Sequence, residues 1–365
     1  MTTTSMFTRN QLSRMLPAAP TALAALGACL VLAIAGCGKA SPTAPQADGS
    51  TPATADAGGA QEMPVNIGTI KIAALSNLFA AEKLGYFKEQ GLKVNFTHMD
   101  GGSQLLTSIS AGQIDIALAT PSPPIQAIDK GFDFRMIMQN EIAARQGQDT
   151  QALFVNADSS VKSVKDLAGK TIGTSTIKNQ MWLMLSEVLK KNGVDNTKVN
   201  YIELPYSSME DSLRNKQLDA VFNVEPFTSK MLANPAFREI SYPSTETLPG
   251  QPLGAFWASK KWLDATNGKG AQKFVAAMNE ANDYLRAHPE ETQKIIAEYT
   301  GIKLQTIQAM HPVLWDSKVD KATWQSLLNL MHDYGLTKKA IPVDDIIYPT
   351  AIATAAASTP AMASN

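Results

Sequence analysis

Five short segments carry the polar side chains best placed to hold a small ligand. They are Leu75-Ser76-Asn77, Asp100-Gly101-Gly102-Ser103, Thr120-Pro121-Ser122, Thr174-Ser175-Thr176 and Asn223-Val224-Glu225-Pro226. Hydroxyls and amides donate and accept hydrogen bonds, so the chemistry they offer here is recognition. Four of the five set Ser or Thr beside the start of a helix, where unpaired N–H groups and the positive dipole end favour an anionic group. Gly101-Gly102 would let backbone approach a ligand closely. For any one segment the plainer reading is an N-cap, which favours the same residue types; five such loops on two facing, duplicated units point beyond capping. The candidate ligand contacts are Ser76, Asn77, Gly102, Ser103, Thr120, Pro121, Ser122, Thr174, Ser175, Thr176, Asn223 and Glu225, the last available for an amino group or ring N–H.

Signatures of covalent or metal chemistry are missing. His98, His288, His311 and His332 are dispersed without metal-ligand spacing. Gly169-Lys170-Thr171 ends like a phosphate-binding loop, but Val164 stands where that motif needs glycine. No Gly-x-Ser-x-Gly nucleophile elbow occurs. Asp115 and Asp219 look like paired carboxylates, yet each precedes a buried strand at an equivalent point of a repeat, which favours a repeated structural role. Trp182 reads as core from its helical position, while Tyr206 and Trp257 fit either a pocket or the core. The chain is therefore read as a binding protein, with no enzymatic activity, cofactor or metal.

The elements that must position these loops are written twice. In the first half a strand at 65–73 is followed by Ala80, Leu84 and Phe87 at helical spacing, a stop at Gly91, and an alternating strand at 93–97. A short helix at 102–111 and a buried strand at 114–118 complete the unit. The second half repeats the order: strand 171–173, helix 179–192, stop at Gly193, strand 199–202, helix 209–215 and strand 220–222. Gly112-Gln113-Ile114-Asp115-Ile116-Ala117 is answered by Lys216-Gln217-Leu218-Asp219-Ala220-Val221. Each half is thus an α/β unit of βαβαβ type with a parallel sheet. Helices are expected at 271–287, 289–300 and 323–334, packing back on the first unit. The chain would cross between lobes near 147–151 and 243–254, giving a discontinuous first lobe, 64–151 with 250–348, and a second lobe, 152–249.

The ends have a different character. Arg9 and Arg14 precede an apolar run at 18–36, the charged-then-apolar layout of an export signal. It closes with Leu32-Ala33-Ile34-Ala35-Gly36-Cys37, which resembles the lipobox of bacterial lipoproteins, so residues 1–36 read as a signal peptide and Cys37 as the lipidated first residue of an exported, membrane-anchored protein. Pro17 and Pro20 and the many small side chains argue against a retained transmembrane anchor. Residues 37–63, rich in Ala, Pro, Ser, Thr and Gly, read as a disordered tether, and 349–365 as a disordered tail. Removing the signal leaves 30 basic against 33 acidic residues, a net charge of −3 with no basic cluster, which argues against a nucleic-acid partner. Cys29 leaves with the signal, so the mature chain keeps a single cysteine and no disulfide. With a bacterial signal, the sequon Asn95-Phe96-Thr97 has no glycosylation to receive.

Four stretches together resemble a known group: Glu82-Lys83-Leu84-Gly85-Tyr86-Phe87-Lys88-Glu89-Gln90-Gly91-Leu92, Ser110-Ala111-Gly112-Gln113-Ile114-Asp115-Ile116-Ala117, Val164-Lys165-Asp166-Leu167-Ala168-Gly169-Lys170-Thr171-Ile172-Gly173 and Glu225-Pro226-Phe227. They are similar to the nitrate/sulfonate/taurine solute-binding proteins, whose relatives include binders of thiamine-pyrimidine precursors. The resemblance covers about residues 64–300 in order. It implies the type 2 periplasmic-binding fold with a central cleft, a small polar organic solute, an ABC permease with its ATPase as partner, and a monomer that closes about a hinge. Many relatives carry Trp before the Glu-Pro pair where this chain has Val224, so an aromatic wall is missing there. Eukaryotic pyrimidine-synthesising relatives use a cysteine-rich motif that Cys37 alone cannot supply. The competing classes are a ligand-loaded sensor or accessory lipoprotein without transport, and a metal-independent enzyme. Replacing Cys37 with Ala is expected to abolish lipidation and leave unprocessed precursor, read by mass spectrometry of the membrane fraction; normal maturation of Cys37→Ala would contradict the lipobox assignment.

Overall fold

Strand β1, Met63–Thr69, buries Val65 and Ile67 and starts a pattern that recurs through the chain; the computed structural model describes residues 62–99 and 102–349. The signal peptide, Cys37, nearly all of the tether and the tail from 350 lie outside the described residues. The remaining strands are β2 Leu92–His98, β3 Ile116–Ala119, β4 Phe134–Ile142, β5 Gln151–Asn156, β6 Thr171–Thr174, β7 Asn200–Glu203, β8 Ala220–Val224, β9 Phe237–Ser241 and β10 Pro252–Ser259. They form two five-stranded sheets, ordered β2-β1-β3-β10-β4 and β7-β6-β8-β5-β9.

The two sheets are the same drawing with one strand exchanged. β1, β2 and β3 run parallel, as do β6, β7 and β8. The fourth strand of each sheet is antiparallel: β10 between β3 and β4, β5 between β8 and β9. The all-parallel sheets expected from the repeat are therefore mixed. The reason is directional. A chain that leaves one sheet at the carboxyl end of β4 or β9 enters the other from the gap between them, so its first strand runs away from that gap, against its neighbours. The crossings fall between Ile142 and Gln151 and between Ser241 and Pro252.

Equivalent residues do equivalent work in the two halves. Asp115 accepts the Asn66 backbone N–H at 2.8 Å and donates its own N–H to the Asn66 carbonyl at 2.7 Å. Asp219 does the same with Thr171, at 2.9 Å in both directions. Each carboxylate thus pins the entry of β3 or β8 to the strand beside it. Three residues earlier, Gly112 and Lys216 both adopt positive φ, 71° and 56°; glycine does so without strain, and Lys216 does so because the tight turn into the strand demands it.

Helices cover both faces of each sheet. On the first, Ser76–Lys83 lies under Lys269–Ala287 and Pro289–Thr300, with Phe274 between Phe87 and Phe256 at ring separations of 5.8 and 5.0 Å. The opposite face takes Gly102–Ser110 and Lys321–Asp333, where Trp324 meets Trp257 edge-on. On the second sheet, Gln180–Lys191 buries Met181, Leu185 and Leu189 on one face, and Tyr206–Arg214 buries Met209 and Leu213 on the other. The late helices pack on the first sheet as expected. Among the described residues no helix is long and apolar enough to cross a membrane.

One buried polar knot holds the first helix in place. Asn77 Nδ2 donates to Asn140 Oδ1 at 2.7 Å and to Asn282 Oδ1 at 2.9 Å, and Asn140 donates to the Ala74 carbonyl at 2.9 Å. All three asparagines are at most 1 % exposed. Asn77→Leu leaves two buried acceptors without donors, each costing about 1–3 kcal/mol; urea unfolding should show that loss, and unchanged stability would contradict the role of the knot.

Candidate functional site

The carboxyl ends of the strands that run parallel face one cavity of about 790 Å³, open solvent at its mouth included. Its wall is mostly aliphatic, from Ile70, Ile72, Leu106, Leu118, Val224, Leu253 and Val313. Helix starts border it from both halves. Ala74 precedes Ser76–Lys83, Thr120 and Pro123 flank the start of Ser122–Asp129, Asn179 caps Gln180–Lys191, and Tyr206 opens Tyr206–Arg214. An aliphatic wall with a few convergent polar groups is the usual form of a small-molecule site.

The polar groups divide into those already engaged and those free. Ser175 Oγ donates to the Tyr206 hydroxyl at 2.9 Å and accepts from Asn179 Nδ2 at 3.3 Å. Burial pushes the Tyr206 phenol up to about 12, so it stays protonated. Thr176 Oγ1 turns back to the Ser175 carbonyl at 2.7 Å. Glu141 Oε1 accepts from the Thr150 hydroxyl at 2.9 Å, and Gln151 Oε1 accepts from Ser244 at 2.9 Å. Among the described residues, the second carboxyl oxygen of Glu141, the Gln151 amide nitrogen and the Thr120 hydroxyl find no hydrogen-bond partner, and they belong to residues on the cavity wall.

Of the residues expected at the ligand from sequence, Thr120, Ser175, Thr176 and Glu225 line the cavity. Asn77 and Asn223 do not: Asn77 is tied into the asparagine knot, and Asn223 is fully buried, its Nδ2 toward the Tyr206 carbonyl and Met231 sulfur and its Oδ1 on the Val224 N–H. Ser76, Ser122 and Thr174 are buried, their hydroxyls without a partner, and Pro121 is buried at the N-cap of Ser122–Asp129. The side chains of Gly102 and Ser103, like Asp100 and Gly101, lie outside the described residues. Trp257 is core, while Trp182 is half-buried, edge-on to Tyr201 and Tyr334.

Glu225, expected to meet a ligand amine, is already spoken for. Its Oε2 accepts the Ser229 N–H at 3.0 Å, and its Oε1 accepts the Ser229 hydroxyl at 2.8 Å and both the N–H and Nδ1 of His311 at 3.2 Å. His311 Nε2 reaches Gln148 Oε1 at 2.9 Å. The contact joins the second half of the molecule to a segment that packs with the first. It extends a network across the crossings, where Asp149 Oδ2 accepts from Thr245 at 2.8 Å and Ala143 N–H donates to the Gln251 carbonyl at 2.8 Å.

Sequence reading passed over Glu141, Thr150, Gln151 and His311. A polar run, Gln139-Asn140-Glu141, at the end of an otherwise apolar stretch was the available signal for the first. Burial drives the Glu141 carboxyl up to about 8 against the opposing Thr150 hydrogen bond, with Asp149 and Glu225 adding to the rise. Burial likewise raises Asp149. Among the described residues no lysine or arginine lines the cavity, and no cluster of His, Cys, Asp and Glu is placed to hold a metal.

The hydrogen bond to Glu225 holds His311 above its ordinary value. A raised histidine contributes stability that is fully present below about pH 6.5 and is lost as pH rises through its folded value. The stability difference between the wild type and His311→Gln should therefore be largest near pH 5.5 and shrink toward pH 9 in thermal melts. A difference that grows with pH would contradict the pairing.

A profile described as NMT1/THI5 like matches residues 73–292. A putative thiamine biosynthesis protein of Haemophilus influenzae is 22 % identical over 280 residues, 73 % of this chain and 85 % of that one. Among solved structures, the alkanesulfonate-binding protein SsuA of Xanthomonas axonopodis pv. citri, bound to MOPS, superposes with a TM-score of 0.67 at 20 % identity, covering 79 % of this chain and 99 % of that one. The periplasmic nitrate-binding protein NrtA of Synechocystis PCC 6803 gives 0.68 at 16 %, covering 81 % and 89 %. The desulfurization enzyme DSZB shares the fold at 0.60 and 13 %, covering 81 % and 99 %, so the architecture by itself does not separate binder from catalyst. The fold is the type 2 periplasmic-binding fold, and, with the profile covering strands β2 to β10 and more than half of the residues, the chain belongs to the NMT1/THI5-like family.

Proposed function

We propose that the chain is the solute-binding component of an ABC importer, exported and held at the membrane through Cys37, that captures a small polar organic solute and presents it to a permease. The observation that carries the reading is the cavity itself. It lies where the carboxyl ends of two matched sheets converge, its wall is mostly aliphatic, and among the described residues it holds polar atoms left without a hydrogen bond. The sulfonate- and nitrate-binding neighbours and the wider family support the same class.

In this reading the lobes are 64–151 with 250–348 and 152–249, and they rotate about the paired crossings at 143–150 and 242–251. Two short parallel connections tied to each other constrain motion to a hinge. Thr120, Ser175 and Thr176 contact the solute, Thr120 with a hydroxyl that has no other partner and Ser175 through the Tyr206 hydroxyl it orients. Closure brings the wall of each half onto the solute, and the closed form docks on the permease.

Mass spectrometry of solutes released by denaturing the natively purified full chain tests this directly. The wild type is expected to release one small solute in near-stoichiometric amount. Thr176→Trp, which fills the cavity from a half-exposed loop position, should fold normally and lose at least tenfold in occupancy. Equal release from both proteins would contradict capture in this cavity.

A further inference from the structure

We infer that His311 and Glu225 form a proton-dependent latch between the two halves, made when the cleft is closed and broken when it opens, so that solute is held longer at acid than at alkaline pH. The inference rests on the solute-binding reading above and adds a regulation to it.

The latch joins segments from different halves. Glu225 follows β8 of the second sheet. His311 lies on a segment fastened to the first half: Val313 and Trp315 are in its core, Trp315 Nε1 donates to the Ala74 carbonyl at 3.0 Å, and the Ile142 N–H donates to the Leu314 carbonyl at 3.1 Å. Glu225 Oε1 accepts the backbone N–H and Nδ1 of His311, each at 3.2 Å, and the Glu225 carbonyl accepts the Ala73 N–H at 3.1 Å. Side chain and backbone of Glu225 thus both reach the first half. A hydrogen bond is lost beyond about 3.5 Å, so turning one half against the other about the crossings breaks contacts that are already long. Ser229 holds the carboxyl from its own half, through its N–H at 3.0 Å and its hydroxyl at 2.8 Å, so Glu225 stays in place when His311 leaves.

The ring's neighbours set the protonation state that the latch needs. Nδ1 faces Glu225 Oε1 at 3.2 Å, and Nε2 faces Gln148 Oε1 at 2.9 Å. Both oxygens are acceptors; a neutral imidazole donates from one nitrogen only, whereas the imidazolium donates from both. Asp149 stands next to Gln148 on the first crossing, Glu239 approaches from β9, and the Tyr242 ring meets the imidazole edge-on at 6.3 Å. The hydrogen bond to Glu225 raises His311 against partial burial, and Asp149 and Glu239 add to the rise. Opening removes the Glu225 contact and returns the ring toward its ordinary value. The closed form therefore binds the proton more tightly than the open form. Its advantage is fully present below about pH 6.5 and is lost as pH rises through the closed-form value. A turned Gln148 amide would serve a neutral ring instead, and retention that ignores the protonation of His311 is its signature.

The test follows loss of the copurified solute from the natively purified full chain after dilution, by mass spectrometry, at pH 5.5 and pH 8.5. His311→Gln keeps the backbone N–H to Glu225 and a neutral side-chain donor, and melting curves at both pH values confirm its fold. Glu141 and Asp149, both raised by burial, and the solute itself titrate in both proteins, so the ratio of retention times, wild type over His311→Gln, isolates the latch. That ratio is expected to fall by about three- to thirtyfold from pH 5.5 to pH 8.5. Glu225→Gln, which keeps the ring and removes its carboxyl partner, should flatten the profile in the same way. A ratio that stays constant or rises with pH overturns the inference and leaves solute capture standing. If the wild type carries no solute at either pH, the solute-binding reading fails and this inference with it.

Discussion

Strand direction relative to one shared gap is the constraint on which the rest of the molecule depends. In each sheet four strands point their carboxyl ends toward that gap and one strand runs back from it. The helices that follow the forward strands must begin at the gap, which gathers their first turns and capping residues around a single cavity. The backward strands begin there too, and they deliver Gln151 and Leu253 to the same wall. The cavity forms at this point because the starts of these helices and backward strands meet there.

The two crossings make that convergence mechanical. They run side by side and are bonded to each other through Asp149 with Thr245, Gln151 with Ser244, and Ala143 with Gln251. Glu225 and His311 add a contact between the second half and the segment after residue 310. Across the mouth, Gln126 Nε2 reaches the Lys178 carbonyl at 2.8 Å. Three buried or partly buried carboxyls, Glu141, Asp149 and Glu225, lie within this small region. Burying three carboxyls in one region costs stability unless they are hydrogen-bonded or protonated, and burial raises Glu141 and Asp149 accordingly.

Much of the fold was legible because the duplication is written in residues with specific jobs. Asp115 and Asp219 recur because each must bond the strand beside it, and Gly112 and Lys216 recur at one turn geometry. β4, β5, β9 and β10 were hidden for a physical reason. Segments such as Ala152-Leu153-Phe154-Val155 are buried on both faces and lack the alternation that marks a half-exposed strand. Pro252 and Gly254 sit in β10 and read as turn residues until the antiparallel pairing is known. The site was legible only in part. Thr120, Ser175 and Thr176 follow strands and reach the cavity wall by that rule, whereas Asn77 and Asn223 obey the same rule but turn inward, which is a matter of side-chain direction. Glu141, near the end of β4, and Gln151, at the start of β5, sit on strands that the sequence pattern hides, so missing those strands meant missing them.

The central claim, that a solute is held between two halves that move about paired crossings, is tested most directly by the distance across the mouth. Spin labels on cysteines replacing Lys130 and Lys178, two exposed positions at that rim, report it by pulsed electron resonance on the full chain. The account predicts a short, narrow distance distribution for the natively purified, solute-loaded protein, and a longer, broader one after the solute is stripped by reversible unfolding. The same distribution in both preparations would contradict it.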